Sequence, residues 1–149
     1  MFSQNNTFIR TYNLPGMNGG LSLAIMEDGG FVGTGQHHDP YHLGDCRIYV
    51  YRVDACGNII WFNLFGDYGG GMAINPTSDD GVIIAAYPGA VLKLDNLGNT
   101  EWYKTYSTVG SNFMTAVIQT SDGNYFAGGQ SGQLLKLDNL GDVIWSASV

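Results

Sequence analysis

The sequence predicts an all-β fold made of four-stranded antiparallel units, about three of them in a chain of 149 residues. The first observation is a phrase of Asp, two residues, Gly, three residues and Trp, which occurs at residues 54–61, 95–102 and 138–145. The second is that short β-branched or alternating runs lie between turn residues, whereas no window holds the apolar stripe of a helix. A period of about 40 residues is typical of repeat architectures. The repeated positions are Asp54, Gly57 and Trp61, then Asp95, Gly98 and Trp102, then Asp138, Gly141 and Trp145.

The last complete unit, at residues 102–144, shows its elements in order. Its first run alternates with the two-residue period of a strand, and its second run is rich in β-branched residues. The pair Asp122-Gly123 predicts a hairpin turn, because Gly supplies the positive φ that such turns need. The predicted strands of this unit cover residues 102–106, 114–120, 125–129 and 134–138.

The two earlier units match this one segment by segment. The middle unit has Asp80-Gly81 at its hairpin turn, and the first unit begins with Phe8 in place of Trp. The first unit is also longer, because it carries an insertion at residues 37–45. The chain is therefore predicted to be one repeat domain, with units at residues 8–60, 61–101 and 102–144 and the start of a fourth at 145–149.

Composition excludes several classes of partner. A net charge of −7 with six basic residues argues against nucleic acid, which needs a Lys and Arg footprint for its phosphates. No apolar run reaches the roughly 18 residues of a membrane helix, so no membrane insertion is expected. The first residues lack the basic flank and apolar stretch of a secretory signal. Cys46 and Cys56 flank one predicted strand, whose ends lie too far apart for a disulfide between them.

Four strands in a unit of about 40 residues are typical of a β-propeller blade. The repeated Trp is expected to fill the space between adjacent blades, which is a packing role. Propellers typically close with four to eight blades, and about three are present here. We therefore expect that the chain is a piece of a longer protein, or that copies of it assemble as a homo-oligomer to complete a ring.

Three motifs of the repeat have counterparts in a known family. They read W-x-K-x-Y and T-x-D-G-x-Y-x-x-G-G in the last complete unit, and K-L-D-x-x-G-N in the middle one. In these motifs the chain resembles the propeller repeats of secreted and cell-surface proteins of Bacteroidetes-type bacteria. The resemblance implies an extracellular or cell-surface location and a non-enzymatic module for adhesion, scaffolding or recognition of a protein or glycan, with no cofactor.

The Asp-x-x-Gly-x-x-x-Trp phrase also resembles the tryptophan-docking motif of quinoprotein dehydrogenases, with one residue fewer between Asp and Gly. This likeness implies an alternative, a fragment of a quinoprotein-like propeller enzyme. No set of cofactor-binding residues maps onto the chain, however, and no nucleophile elbow, phosphate loop or zinc-protease helix is present. No catalytic residue is therefore predicted. A purely structural repeat without a ligand is the third alternative.

The insertion in the first unit is the element expected to carry specific recognition, because loops inserted on rigid scaffolds often do so. It contains all three histidines of the chain. Imidazole, carboxylate and thiolate groups so close in sequence are metal ligands in principle, but the spacing fits no standard zinc pattern, so no metal is predicted. The candidate binding residues are His37, His38, Asp39, Tyr41, His42 and Asp45, and the weak metal candidates are His37, His38, His42 and Cys46.

Two polar repeats have simpler interpretations. The Asp-x-x-Gly turn has some ingredients of a calcium loop, but it lacks the oxygen count of an EF-hand, and Asp, Asn and Gly are the residues that a tight turn requires. Basic and acidic neighbours such as Lys93 and Asp95 are candidates for a ligand-binding face. Rows of solvated or cross-blade ion pairs are the more ordinary alternative.

Overall fold

The computed structural model describes residues 11–12, 16–39, 41, 46–66, 69–106 and 113–148. These residues form twelve β-strands in three four-stranded antiparallel sheets, with one 3₁₀ turn at Gln130–Gly132 and no α-helix. No helix in this part of the chain is long and apolar enough to cross a membrane.

The twelve strands are divided equally among the three sheets. Sheet 1 contains β1 (Met17–Ile25), β2 (Phe31–His38), β3 (Cys46–Val53) and β4 (Ile59–Phe65). Sheet 2 contains β5 (Gly70–Pro76), β6 (Val82–Tyr87), β7 (Ala90–Leu94) and β8 (Thr100–Thr105). Sheet 3 contains β9 (Met114–Gln119), β10 (Tyr125–Gly129), β11 (Gln133–Leu137) and β12 (Val143–Ser148).

Each sheet is a meander in which consecutive strands are neighbours. The turns after the first and third strands therefore lie at one end of the sheet, and the connection after the second strand lies at the other end. The pairing of the third and fourth strands has a register shift at the same place in all three sheets, directly after Arg52, Lys93 or Lys136. The repeat in sequence is thus a repeat in backbone geometry.

The sheets stack face to face, with sheet 2 in the middle. Strand β7 of sheet 2 is buried along its whole length, and β6 is buried up to its last residue. Alternate residues of these strands enter two separate apolar clusters, because successive side chains of a strand point to opposite faces. The cluster between sheets 1 and 2 includes Val32, Ile48, Val50, Ile84, Leu92 and Leu94. The cluster between sheets 2 and 3 includes Ile83, Val91, Val117, Tyr125, Leu135 and Leu137.

The sheets do not begin where the sequence repeat begins. The strand that contains Trp61 was expected to open the second unit, but it is β4 and pairs with β3 as the last strand of sheet 1. Trp102 and Trp145 likewise lie in the last strands of sheets 2 and 3, so residues 145–148, predicted with residue 149 to start a fourth blade, belong to sheet 3. The reason is that a tight turn joins neighbouring strands of one sheet, and the Asp-x-x-Gly turn is such a turn. Predicted strand residues 8–10 lie outside the described part of the chain.

A smaller correction concerns the hairpin turn of the middle unit. The residue with positive φ is Asp80 (φ 60°), which occupies the place that Gly29 and Gly123 hold in the other sheets. The predicted Asp80-Gly81 pair is therefore shifted by one residue relative to the Asp-Gly pairs of the other units. The two cysteines are not joined by a disulfide, as expected: Cys46 is buried in β3, and Cys56 is exposed in the turn after it.

Candidate functional site

The insertion extends a hairpin of sheet 1. Strands β2 and β3 each have eight residues, whereas the equivalent strands have six and five in sheet 2, and five and five in sheet 3. His37 and His38 continue β2, where they pair with Arg47 and Cys46, so the loop is shorter than the predicted insertion. The extra polar residues lengthen the ladder because antiparallel pairing continues until a proline or turn residue stops it.

The two described residues at the tip of this hairpin, Asp39 and Tyr41, are polar and lie at the surface. Asp39 follows the strand, and its Oδ1 accepts a hydrogen bond from the backbone N–H of Tyr41 at 2.8 Å. Tyr41 itself is 89% exposed. His42 and Asp45, which were also predicted to bind a partner, lie outside the described residues.

The two histidines of the strand do not converge. Neighbouring residues of a strand point to opposite faces, so one ligand cannot readily reach both imidazoles. The Nδ1 of His37 lies 2.9 Å from Asn18 Oδ1, and the Nε2 of His38 lies 3.9 Å from Cys46 Sγ. Within the described residues, no group of three or more His, Cys, Asp or Glu side chains is placed to hold a metal ion.

The base of the hairpin is fastened to sheet 2. The thiol of Cys46 donates to the carbonyl of Gly69 at 3.0 Å, and the N–H of Gly69 donates back to the carbonyl of Cys46 at 2.5 Å. Gly70 packs directly on Gln36, since a Cβ at Gly70 would lie 2.2 Å from the Gln36 side chain. The exposed tip therefore projects from a base that is held by two sheets.

The tryptophans connect each sheet to the next. The indole Nε1–H of Trp61 donates to the carbonyl of Asn96 at 3.2 Å, and that of Trp102 donates to Asn139 at 3.1 Å. Asn96 and Asn139 are the second residues of the Asp-x-x-Gly turns in the following sheets. The Trp of one sheet thus lies on the turn of its neighbour.

The glycines of these turns receive the indole rings. A Cβ on Gly98 would lie 2.8 Å from the ring of Trp61, and one on Gly141 would lie 2.8 Å from the ring of Trp102. Both glycines also have positive φ, 82° and 79°. A side chain at either position would meet both a ring and a strained backbone.

The carboxylates of the turn aspartates accept hydrogen bonds from neighbouring residues of the same turn. In the turn of sheet 2, Oδ1 of Asp95 accepts the backbone N–H groups of Leu97 at 2.9 Å and Asn99 at 2.8 Å. The side-chain amide of Asn99 also donates to Asp95, and this bond lowers the pKa of the Asp95 carboxyl below its ordinary value. Asp54 and Asp138 accept the corresponding backbone bonds in the other sheets. These carboxylates therefore close turns and are not arranged as calcium ligands.

The repeated basic residues form ion pairs with aspartates of the turn that joins the first and second strands of each sheet. Lys93 Nζ lies 2.8 Å from Asp79 Oδ2 and 3.4 Å from Glu101, and it donates to the carbonyl of Leu94. Its side chain is 1% exposed, so Lys93 and Asp95 do not form the ligand-binding face considered from the sequence. The other pairs are Arg52 with Asp28 at 2.9 Å and Lys136 with Asp122 at 3.2 Å.

Sequence reasoning missed these acidic partners. The signal was present, because Asp79 and Asp122 each precede their lysine by 14 residues. The first unit obscures it, since its insertion separates Asp28 from Arg52 by 24 residues.

Solved structures of propeller-type proteins are similar to the chain over most of its length. One is a protein of unknown function from Bacteroides caccae, with 12% identity and a TM-score of 0.67 over 93% of this chain and 48% of that one. BamB from Moraxella catarrhalis has 20% identity and a TM-score of 0.67 over 93% of this chain and 40% of its own. The Pan2 WD40 domain from Neurospora crassa has 13% identity and a TM-score of 0.68 over 89% and 39%.

The comparisons define the class of fold. The three sheets are three blades of a β-propeller, and the chain spans less than half the length of the solved structures named above. No family model matches the sequence. No curated protein matches it either.

Proposed function

We propose that the chain is a non-enzymatic β-propeller module of a secreted or surface-exposed bacterial protein, and that it recognises a protein or glycan through the extended β2–β3 hairpin. Adhesion or scaffolding at the cell surface is the role that such a module would serve. The observation that carries the proposal is the hairpin itself, which is the largest departure from the repeat among the described residues. The location rests on the resemblance of the repeat to secreted and cell-surface propeller repeats.

The chemistry of the hairpin suits polar recognition. Tyr41 offers an exposed aromatic ring with a hydroxyl, and Asp39 and His37 offer hydrogen-bonding groups nearby in the chain. The fastening of the base to Gly69 supports the proposal further, because a hairpin that is anchored at its base loses less conformational entropy when it binds. Sheet 2 shows that the fold needs no such extension, since its equivalent connection between Ala86 and Ala90 is residues 87–89 alone.

The short connection of sheet 2 provides a direct test. His38 and Cys46 are register partners, as Ala86 and Ala90 are, so residues 39–45 can be replaced by Tyr-Pro-Gly without changing the ladder. Binding of the wild type and of this variant would be measured on arrays of immobilised glycans and of extracellular-matrix proteins. We expect the variant to fold normally and to lose at least about tenfold in affinity for any target of the wild type.

A point variant separates the ring from the length of the loop. Tyr41→Ala is expected to weaken the same binding, whereas Tyr103→Ala, which removes a partly exposed tyrosine from β8, is expected to leave it unchanged. Equal binding by the wild type and the shortened hairpin would reject the role of the hairpin. Recovery of the natural protein from the cytoplasm of its producing cells alone would reject the proposed location.

A further inference from the structure

Sheet 3 carries the same docking tryptophan as the other sheets, but no other sheet among the described residues covers it. Trp145 pairs across the ladder with Lys136, as Trp102 pairs with Lys93 and Trp61 with Arg52. Trp145 is nevertheless 41% exposed. Its ring contact is with Phe126 of its own sheet, at 5.6 Å between centroids.

The face around Trp145 matches a face that is covered elsewhere in the molecule. In sheet 2, the ladder neighbours Ile83 and Lys93 are fully buried under sheet 3. In sheet 3, the equivalent neighbours are Phe126 and Lys136, and the Lys136 side chain is 24% exposed. Two further apolar side chains on this face are exposed, Ile118 and Leu134. The face thus continues an interface that the chain has already built twice.

The contacts of the three Asp-x-x-Gly turns indicate what can cover this face. The turn of Gly98 holds Trp61, and the turn of Gly141 holds Trp102. The turn of Gly57 has a different contact, in which the hydroxyl of Tyr12 donates to the Gly57 carbonyl at 2.5 Å. Tyr106 makes the same bond to the Gly141 carbonyl at 2.7 Å, which places Tyr12 where the strand of a preceding blade would lie.

Each of the three Asp-x-x-Gly turns in the described residues thus has a contact, with Trp61, Trp102 or Tyr12, while Trp145 lies on no such turn. To cover Trp145 with its Gly57 turn, a second copy of this chain would have to accommodate Trp145 beside Tyr12, whereas a further blade would bring a turn of its own. We propose that the outer face of sheet 3 docks a further four-stranded blade, which is not one of the three described and which brings its own Asp-x-x-Gly turn. The carbonyl of the second turn residue accepts the Trp145 indole N–H, and the turn glycine receives its ring. This proposal is independent of the function assigned to the hairpin.

A chain with one added blade tests the proposal. A second copy of residues 107–149 would be appended after Val149, so that the added sheet follows sheet 3 as sheet 3 follows sheet 2. The measurement is the exchange rate of each indole N–H by NMR, with the Trp145 signal assigned from Trp145→Phe. In the 149-residue chain we expect the Trp145 N–H to exchange faster than those of Trp61 and Trp102. In the extended chain we expect it to slow by at least about tenfold, because it becomes hydrogen-bonded and covered.

The matched control is Gly141→Ala in the added copy alone. It is expected to return the Trp145 N–H towards fast exchange, while Gly123→Ala in the same copy leaves it slow. Fast exchange of the Trp145 N–H in the extended chain, with the added blade folded, would refute docking. Sedimentation of the 149-residue chain distinguishes docking of a further blade from docking of a second copy of this chain. If a further blade is the occupant, we expect the 149-residue chain to be a monomer. Self-association that disappears in Trp145→Ser would show instead that a second copy is the occupant.

Discussion

At the scale of single residues, the turn glycines meet two demands at once. Gly98 and Gly141 provide a left-handed backbone, and they also leave room for a tryptophan ring of the neighbouring sheet. A turn that needed only the conformation would accept Asn or Asp, as the turn of sheet 2 does at Asp80. The second demand explains why Gly rather than Asn stands at positions 98 and 141.

Substitution of these glycines separates the two demands. Gly98→Ala and Gly141→Ala are each expected to lower the free energy of unfolding by about 1–3 kcal/mol, from backbone strain together with displacement of the ring. The matched control is Gly123→Ala, since Gly123 has the same positive φ (80°) but a Cβ there would meet nothing within 4 Å. Denaturant unfolding should show a smaller loss for the control. Equal losses in all three variants would contradict a packing role for the glycines.

The turn aspartates predict a loss of stability in acid. The hydrogen bond from Thr120, with those from Asn124 and Lys136, holds the pKa of the Asp122 carboxyl well below its ordinary 3.8. A depressed pKa means that the unfolded chain binds a proton more readily, so the stabilisation is present above about pH 4 and is lost as the pH falls further. Asp122→Asn should reduce the decrease in unfolding free energy between pH 7 and pH 2. An unchanged decrease in the Asp122→Asn variant would show that this carboxylate does not contribute to the loss of stability in acid.

At the scale of strands, identical repeat positions have different environments because of what lies over them. Lys93 in β7 and Lys136 in β11 each reach a turn aspartate of their own sheet. Sheet 3 covers the first lysine, whereas no sheet among the described residues covers the second. The contribution of each ion pair to the free energy of unfolding therefore depends on whether a neighbouring sheet covers it, and not on its own strand alone.

Alanine variants of the two lysines measure this difference. Lys93→Ala removes a buried stem together with the partner of Asp79, so we expect a loss of about 1–3 kcal/mol in unfolding free energy. Lys136→Ala removes a more exposed pair, for which we expect less than about 1 kcal/mol. Thermal or denaturant unfolding of both variants provides the comparison. Similar losses would mean that burial under sheet 3 adds nothing to the interaction.

Strand assignment also shows where sequence reasoning succeeds and where it stops. Turn chemistry and alternation predict the strands around Asp122 and Asp138 well, because both signals are local. The phase of the repeat is not local. Trp61 contacts the turn of the following sheet but pairs with the strand before it, so the same residue belongs to one blade by hydrogen bonding and touches another by packing. A sequence pattern shows that Trp recurs, but it does not show whether strand pairing or packing between sheets sets the boundary between blades.

The candidate site is less predictable than the blades. The insertion stands out in sequence because it breaks the period, and it lies where the hairpin is extended, although His37 and His38 continue β2 and do not belong to the loop. The anchoring of Cys46 to Gly69 could not be foreseen, because it joins two sheets through a thiol and a backbone carbonyl. The separation of His37 from His38 did follow from strand periodicity, once both were placed in β2.

At the scale of the whole molecule, the three sheets of the described residues form a stack whose middle sheet is covered on both sides, while no further described sheet covers its two outer faces. Sheet 2 is covered on both sides, whereas Leu23 and Ile25 of sheet 1 and Trp145 of sheet 3 are exposed on the outer faces. In a stack of sheets that each contact only their neighbours, stability is distributed in the same order. Openings that expose one outer sheet should cost less free energy than openings that expose the central one.

Hydrogen exchange of the native chain tests this order. We expect the slowest backbone amides in β6 and β7, and faster exchange in the hydrogen-bonded amides of β1 and β12. The measurement is residue-resolved exchange under native conditions, with low concentrations of denaturant to distinguish local from global opening. Equal protection of β12 and β6 would show that the three sheets open as one unit.

The extended hairpin has a consequence for engineering. The connection between register partners is residues 87–89 in sheet 2 and residues 39–45 in sheet 1, yet the ladders below both are regular. Loop length at this position is therefore decoupled from the stacking of the sheets, as is typical of tips that tolerate insertion. A foreign peptide placed between His38 and Cys46 would be displayed on a base fastened by Gly69, so the chain offers a display scaffold whose variable segment and rigid support are already separate.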